Sequence, residues 1–273
     1  MTPLRRLRRL GLVPACAVLV LWPERAAGQD FSTPAPPWPP ATPSALLERG
    51  LPPPAPGVAL ELALVRWYGL DDLASRAVSV GGGWRSARVA CGFGQTGDRE
   101  VGWNTLAIAG GVAQSTAGAA VRAVARRDRV PSMEVLPRDW GAGIEIGAGA
   151  WVEAGHGVHV WALVPQLWTD GAAPPLDRGL ELGAGAHRSD LGAWFTRTTA
   201  RAGSASRGEH AAGVAAYGGP LTLWLAMRDR PFRGGVGVAG RLSGLQVAIE
   251  AESHPVLGQT LRLTAVVGSG GAP

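Results

Sequence analysis

Apolar and polar positions alternate one by one in short segments of this chain from Gly57 to Val267, and glycine-rich turns join the segments. Neighbouring side chains of a β-strand point to opposite faces, so a period of two predicts strands. The segments recur about every fifteen residues, which suits a membrane strand plus a connection. The predicted strands are Val58–Arg66, Arg76–Gly83, Arg85–Phe93, Glu100–Gly111, Thr116–Arg126, Gly143–Glu153, Val158–Leu167, Gly179–His187, Leu191–Ala200, His210–Tyr217, Leu221–Arg228, Gly235–Arg241, Leu245–Ala251 and Gln259–Val267.

The connections between these strands alternate in length. The tight ones are Gly81–Trp84, Gly110–Ser115, Ala154–Gly157, His187–Asp190, Tyr217–Pro220 and Leu242–Gly244. The long ones are Gln95–Arg99, Arg127–Trp140, Trp168–Arg178, Arg201–Glu209, Asp229–Gly234 and Glu252–Gly258. Bacterial membrane barrels have short turns in the periplasm and longer loops outside. If the first strand starts in the periplasm, every tight turn of this chain lies on the periplasmic side.

The two faces of the predicted strands differ in polarity. Ile144 and Ile146 share one face of a segment whose other face carries Glu145, and Leu225 likewise faces away from Arg228. A charge on the lipid face at mid-membrane costs about 2–4 kcal/mol, so we assign the apolar face to lipid and the charged face to a lumen. A sheet in lipid must close, because an open edge leaves backbone groups unpaired. The predicted fold is an all-β, closed, antiparallel up-and-down transmembrane β-barrel of about 14 strands.

Side chains assigned to the lumen and to the membrane boundary are candidates for function. The lumen-lining candidates, which would set the charge of an open lumen, are Arg122, Arg126, Glu145, Glu181, Arg228 and Glu250. If the lumen is plugged, the expected stopper is the loop Arg127–Trp140 or the segment Tyr68–Ser75. Indole prefers a membrane interface. The candidates for an interfacial girdle are therefore Trp103, Trp140, Trp151, Trp161, Trp168, Trp194 and Trp224.

Two segments precede the predicted barrel. Residues 1–28 have the form of a secretory signal, with a charged start, a short apolar run from Leu10 to Trp22 and small residues before Gln29. Residues 29–56 are rich in proline, which favours polyproline II, so we predict an extended periplasmic tether with a short helix at Ser44–Arg49 as an option within it. The tether is also a candidate contact for other envelope proteins. Residues 57–268 form the predicted barrel, and residues 269–273 a flexible tail.

The charge of the chain argues against a nucleic-acid partner. When the five arginines and one glutamate of the predicted signal are taken from the totals of 26 basic and 21 acidic residues, 21 basic and 20 acidic residues remain. The mature chain is therefore nearly neutral. It has no basic patch interleaved with aromatic residues, which is the usual mark of DNA or RNA binding.

The sequence offers no pattern for catalysis or for a cofactor. His156 and His159 are three residues apart, and on a strand this spacing puts them on opposite faces, so we do not expect them to share a metal. Neither a nucleophile elbow nor a phosphate-binding loop is present. Only Cys91 follows the predicted signal, which excludes an intramolecular disulfide. We expect a protein that is not an enzyme and that binds no cofactor and no metal.

One stretch before the last predicted strand resembles a family motif. Ser253–Thr260 is similar to the His-Pro-x-Leu-Gly-x-Thr signature of the PorV/PorQ-like outer-membrane barrels, and Ala74–Gly83 is similar to the small-residue stretch with which those barrels begin. The family includes the shuttle barrel of the type IX secretion system and resembles the long-chain fatty-acid transporters. Leu261 stands where members often have histidine. The motif residues are His254, Pro255, Leu257, Gly258 and Thr260. The resemblance implies an outer-membrane barrel and carries no substrate site over to this chain.

These observations predict a non-enzymatic barrel in the cell outer membrane, with outer-membrane lipid as its partner. The barrel would either pass an apolar or small polar solute passively or serve as an envelope scaffold associated with secretion. The alternative is a soluble periplasmic or secreted all-β binding module. Such a module would need charges on its outward face, where this sequence has leucine, valine, isoleucine and alanine.

Overall fold

The computed structural model describes residues 42–53, 57–98, 101–129, 142–171, 178–200, 208–230 and 232–268. Within these ranges the chain forms one α-helix, α1 (Pro43–Arg49), fourteen β-strands, and two 3-10 turns, Trp67–Gly69 and Asp71–Leu73. The strands are β1 Val58–Arg66, β2 Ala74–Trp84, β3 Ala87–Gly97, β4 Gly102–Ala113, β5 Ala117–Arg129, β6 Ala142–Gly155, β7 Val158–Gly171, β8 Arg178–Arg188, β9 Leu191–Ala200, β10 Glu209–Gly218, β11 Leu221–Asp229, β12 Phe232–Leu242, β13 Leu245–His254 and β14 Gly258–Gly268. No helix in the described ranges is long and apolar enough to cross a membrane.

The fourteen strands pair in chain order, each antiparallel to its neighbours, and the last strand closes the sheet on the first. In the closing pair Leu60 lies opposite Val267 and Leu64 lies opposite Leu263. A closed sheet has no edge strand, so its backbone hydrogen bonds are satisfied between neighbours all the way round. The predicted closed, antiparallel up-and-down barrel is confirmed.

The two ends of the barrel have different connections. Six connections of two or three residues lie at one end, which we call the turn end, and the others lie at the opposite, loop end. Two loop-end connections are shorter than predicted. Only residues 230–231 separate β11 from β12, and only residues 255–257 separate β13 from β14. The predicted long loops Asp229–Gly234 and Glu252–Gly258 are wrong because pairing continues past their expected starts, as far as Asp229 opposite Phe232.

The tight turns fix the register of the strands that they join. His156 and Gly157 have φ angles of 54° and 75°, and Ser243 and Gly244 have φ angles of 45° and 84°. Positive φ at both central residues is typical of type I′ hairpin turns, whose twist matches that of the paired strands. A fixed register keeps alternate side chains on their proper faces, because a slip of one residue would exchange inside and outside.

Side chains alternate between an apolar outer face and a packed inner face. On β11, Leu223 and Leu225 are 56% and 59% exposed, whereas Trp224 and Arg228 are 4% and 8% exposed. The outer faces of other strands carry similarly exposed leucine, valine, isoleucine and phenylalanine. Buried charged side chains of the inner face are Glu61, Arg88, Arg122, Arg228, Glu250 and Arg262.

Indole rings cover glycines on the inner face. Trp161 lies opposite Gly183 and Trp224 lies opposite Gly237. A Cβ added to either glycine would lie 2.0 or 2.1 Å from the facing indole, so only glycine leaves room for the ring. The same arrangement joins Trp151 with Gly118 and Trp194 with Gly213. An aromatic side chain over a cross-strand glycine supplies the packing that the glycine lacks.

The prediction that tryptophans form an interfacial girdle is wrong for most of them. Five of the seven candidates point inward: Trp103, Trp151, Trp161, Trp194 and Trp224. The reason is packing, since these large rings fill interior space that small residues on neighbouring strands leave open. Trp168, 50% exposed, lies on the outer face, and Trp140 lies outside the described residues.

Replacing Gly237 with valine is expected to destabilise the barrel by about 1–3 kcal/mol, because the added side chain collides with the Trp224 indole. Gly240→Ala on the same strand is the matched control, since a Cβ there would lie 3.7 Å from Leu221, an ordinary contact. The temperature at which the folded band disappears from a heat-modifiability gel measures the effect. Equal midpoints for the two variants would contradict the prediction.

Candidate functional site

A short helix lies inside the barrel, and its ends are specified locally. Thr42 is extended, and its hydroxyl accepts a hydrogen bond from the Ala45 N–H at 3.4 Å, as an N-cap does. Pro43 stands in the first turn, where its missing N–H has no partner to lose. Gly50 ends the helix with a φ of 64°, and its N–H donates to the Leu46 carbonyl at 3.0 Å.

Helix α1 and the residues after it pack against the inner faces of β1–β6. We call residues 42–53 the luminal segment. Leu46, Leu47 and Leu51 are at most 5% exposed. Glycines let the segment approach the wall, since a Cβ on Gly149 would lie 2.5 Å from the Arg49 carbonyl oxygen. Residues 42–53 of the predicted periplasmic tether therefore lie within the barrel. The tether over residues 29–41 lies outside the described residues and stays a prediction.

The first anchor of the luminal segment is a buried carboxylate on β1. Glu61 is 2% exposed, and it accepts two hydrogen bonds from Ser44. The Ser44 N–H donates to one carboxylate oxygen at 2.9 Å, and the Ser44 hydroxyl donates to the other at 2.8 Å. Charge-assisted bonds of this kind are stronger than neutral ones. Glu61 thereby holds the start of the helix against β1.

An ion pair and a hydrogen bond from a charged side chain hold the end of the helix. Arg49 Nη2 lies 2.5 Å from Glu181 Oε1 on β8. Arg122 on β5 donates to the Leu47 carbonyl at 3.3 Å and also lies 3.1 Å from Glu145. One wall arginine therefore binds both the helix backbone and a neighbouring wall carboxylate.

A bulge in β7 supplies another acceptor for Arg122. The register between β6 and β7 shifts after the pair of Ala148 and Val164, next to Pro165. Proline has no N–H to give to the sheet, which is why it occurs at bulges. The Pro165 carbonyl accepts a hydrogen bond from Arg122 Nη2 at 2.7 Å. The irregularity of the strand thus fixes the orientation of the arginine that holds α1.

The residues after the helix are bound to the wall through their backbone carbonyls. The Trp151 indole N–H donates to the Pro52 carbonyl at 2.9 Å, and Arg88 Nε donates to the Pro53 carbonyl at 2.8 Å. Arg88 is 2% exposed. The luminal segment is thus bonded to β1, β3, β5, β6 and β8 at points spread along its length.

Glu48 faces a group of charges on both sides of the closing seam. Its Oε1 lies 3.9 Å from Arg262 Nη2, and Arg262 lies 3.6 Å from Glu61. Burial, with the nearby carboxylates of Glu61 and Glu250, raises the pKa of Glu48 to about 8 against the opposing effect of Arg262 and Arg122.

A second charged group lies near the loop end on β10–β13. Arg228 and Arg233 lie 3.1 and 2.8 Å from Glu209, and Arg233 also lies 3.1 Å from Glu252. Two arginines and two carboxylates neutralise one another here. The inner wall therefore presents balanced charge rather than a field of one sign.

All six predicted lumen-lining residues lie on the inner face of the barrel, and the structure divides them among several contacts. Five of the six form ion pairs. The pairs are Arg122 with Glu145, Glu181 with Arg49, Arg126 with Asp128 at 2.7 Å, and Arg228 with Glu209. Glu250 is 6% exposed, beside Arg262 across the β13–β14 pair. Their effect on a solute stays a prediction.

The motif residues extend from the end of β13, across the connecting turn, into the start of β14. The His254 ring nitrogen Nδ1 accepts hydrogen bonds from the Val256 and Leu257 N–H groups at 3.2 and 3.1 Å. The side chain of Thr260 accepts from the Tyr68 N–H at 3.4 Å. The motif therefore joins the last loop-end connection to the first. Tyr68–Ser75, one of the expected stoppers, covers most of that first connection and the first two residues of β2. Most of Arg127–Trp140, the other, lies outside the described residues.

Sequence reasoning missed Ser44, Glu61, Arg88 and Arg262. Glu61 and Arg262 did carry a signal, because each stands between two leucines on a predicted strand and so belongs to the inner face. Ser44 had none, since nothing in a proline-rich stretch indicates that it lies within a barrel. Among the described residues no group of three or more histidine, cysteine or acidic side chains is arranged to hold a metal ion.

No protein-family model matches the sequence, and no curated protein matches it. The structure is similar to variants of the porin from Rhodopseudomonas blastica. Two of them align with 78% of this chain over 98% of the porin chain, at 11% identity and a TM-score of 0.44. A third solved structure, described by the asymmetric conductivity of engineered proteins, aligns over the same shares at 11% identity with a TM-score of 0.43. A likeness at this level says nothing of solute or pore size.

Removing the Glu61 carboxylate is expected to loosen the luminal segment at least tenfold, since Ser44 then loses two charge-assisted bonds worth about 1.5–3 kcal/mol each. The probe is Leu47→Cys in a Cys91→Ser background, because residue 47 is buried when the segment is docked. The rate of labelling by a water-soluble maleimide should rise when Glu61→Ala is added. Gln246→Ala, an inner-face change away from the segment, is the control. Equal rates in the two variants would show that Glu61 does not hold the segment.

Proposed function

We propose that this protein is a barrel of the bacterial outer membrane that passes small solutes passively, and that its luminal segment closes the pathway until it is displaced. The observation that carries the proposal is the segment itself, which lies in the lumen and is attached by hydrogen bonds and ion pairs to wall side chains and by three buried leucines. Water can replace the polar contacts one by one, because the net contribution of each is limited, about 1.5–3 kcal/mol for a bond to a charged group. Such a stopper can leave without unfolding the wall.

Membrane residence is supported by the outer face of the barrel. Exposed leucine, valine and isoleucine follow one another on that face, as on β1, where Leu60, Leu62 and Leu64 are 45–52% exposed. Contiguous apolar surface on this scale is rare on soluble monomers and marks a membrane or protein interface. The alternative of a soluble periplasmic or secreted binding module would leave this face in water, which the hydrophobic effect opposes.

The solute is expected to be small and to be selected weakly by charge. The inner arginines and carboxylates pair with one another, as in the contacts of Arg228 with Glu209 and of Arg122 with Glu145. Paired charges leave little net potential to sort ions. The same barrel could instead act as an envelope scaffold associated with secretion, with residues 29–41 as a contact for other proteins, and conductance separates these two roles.

A charge placed in the middle of the outer face is expected to destabilise the barrel in lipid by about 2–4 kcal/mol, and one near the membrane boundary by about 0–1 kcal/mol. Leu225→Arg tests the middle of β11, and Leu221→Arg, at the turn end of the same strand, is the matched control. Denaturant unfolding in lipid vesicles measures both variants. If the two lose equal stability, the outer face does not meet hydrocarbon along its length, and the membrane proposal is wrong.

Displacing the luminal segment is expected to open the barrel to ions. In planar bilayers the mature chain should conduct little. A chain that lacks residues 29–53 should carry a steady current, and Glu61→Ala with Arg49→Ala should give intermittent openings. Each variant must first show a heat-modifiable folded band, so that loss of folding is recognised. A folded, truncated barrel that carries no current would end the passage proposal and favour the scaffold role.

A further inference from the structure

The outer face has a polar row near the loop end of four neighbouring strands. Arg76 lies opposite Gln95, Gln95 opposite Asn104, and Asn104 opposite Arg127. Residues directly opposite each other in a sheet have their Cβ atoms about 4.5–5.5 Å apart on the same face. The row therefore forms one continuous strip across β2–β5. Arginine, asparagine and glutamine all present N–H donors, so the strip suits an anion.

Within the part of β2–β5 that the structure describes, no acidic side chain of the outer face lies beside these arginines. The described outward side chains of β2–β5 include no carboxylate. Arg76 and Arg127 make no hydrogen bond or ion pair with the residues that the structure describes. The opposite wall differs, because His210, which lies opposite Arg197, is bonded to Asp229 at 2.9 Å. Among the described residues, the strip on β2–β5 therefore has no acidic group of its own on the outer face.

Apolar side chains begin directly below the strip. The next outward row toward the turn end contains Val78, Phe93, Leu106 and Ile144, which are 41–56% exposed. Their order across the sheet follows from the register of β2–β6, in which Phe93 lies opposite both Val78 and Leu106. The strip therefore lies where the polar and apolar parts of the outer face meet. In a membrane this level corresponds to the lipid headgroups.

A groove lies further along the same strands. It has a volume of about 450 Å³, and the outward residues that line it include Gly110, Val112, Ala119, Val121 and Ala150. Small side chains form its floor, while the rows above it carry Leu106 and Ile108. Asn104 and Gly110 are six residues apart on β4, about 20 Å at the rise of a strand. That distance is close to the length of an extended fatty acyl chain.

We propose that β2–β6 bind one phosphate-bearing membrane lipid, with its anionic headgroup on Arg76, Gln95, Asn104 and Arg127 and an acyl chain in the groove of Gly110, Ala119 and Ala150. The strip matches the charge of the headgroup, and the groove matches the apolar character of the acyl chain. The distance between strip and groove matches the length of that chain. The site rests on the proposed membrane residence, because only a barrel in lipid presents this face to lipid molecules. It is independent of whether the lumen conducts.

The test uses the full mature chain, reconstituted in phosphatidylcholine bilayers that contain a minor amount of phosphatidic acid. The lipid retained after gentle extraction is then identified by native mass spectrometry. Phosphatidylcholine is the matched lipid, since its phosphate is compensated by choline. The natural protein should retain one phosphatidic acid molecule in preference to phosphatidylcholine. Arg76→Gln with Arg127→Gln should weaken that retention at least tenfold, because each charge-assisted contact is worth about a factor of ten or more.

Two control variants separate the parts of the site. Arg197→Gln removes an outward arginine from the opposite wall and should leave retention unchanged. Ala119→Leu with Ala150→Leu fills the groove and should reduce retention of long-chain phosphatidic acid, whereas Ala184→Leu, outside the groove, should not. Inorganic phosphate in excess should not displace the lipid. If it does, the strip is a site for free phosphate and the lipid proposal is wrong.

The proposal is overturned if phosphatidic acid and phosphatidylcholine are retained equally, or if the double arginine variant retains phosphatidic acid as the natural protein does. All variants are first checked for a heat-modifiable band in the same bilayers. If the protein inserts and folds but shows no lipid preference, only the lipid site is contradicted and membrane residence stands. If the protein never inserts, both proposals are wrong.

Discussion

The pairing of the first strand with the last is the constraint on which the rest of the structure depends. It removes both edges of the sheet, so backbone hydrogen bonding is complete and the outer face can be apolar. It also encloses an interior whose side chains are kept from bulk water. Glu61 and Arg262 lie 3.6 Å apart only because β1 and β14 meet. The two ends of the barrel sequence thus build one charged group, and the luminal helix lies against it.

Two sets of side chains fill the enclosed space: the inward indoles of the wall and the residues of the luminal segment. Indoles such as Trp161 and Trp224 lie over glycines of the wall and belong to the folded sheet itself. The luminal segment is added to that wall by leucines and by hydrogen bonds to groups such as Glu61 and Arg122. Those wall groups are charged, and water can solvate them if the segment leaves. The proposed displacement of the segment would therefore leave wall charges that water can solvate, whereas an apolar core would leave an empty cavity.

The barrel could be predicted from the sequence because its information is local. The period of two predicted the strands, their number and their two faces. The need to leave no open edge in lipid predicted that the sheet closes. The same parity already placed Trp224 with Arg228 on the inner face, but the general preference of indole for interfaces was given more weight, and that was wrong. The luminal helix could not be predicted in place, because Thr42, Pro43 and Gly50 specify a helix and not its surroundings. Its neighbours are distant in sequence, as Arg49 and Glu181 show.

The position of the luminal segment at the start of the chain has a consequence for assembly. The surface that it packs on belongs to β1–β6, which are the first strands to follow it. The remaining ionic contacts of the segment, to Glu181 on β8 and to Arg262 on β14, form only when the later strands are in place. A segment that docks on β1–β6 before the sheet closes would be surrounded by the remaining strands rather than threaded through a finished opening. Its apolar leucines would meanwhile shield the concave side of the unfinished sheet from other chains.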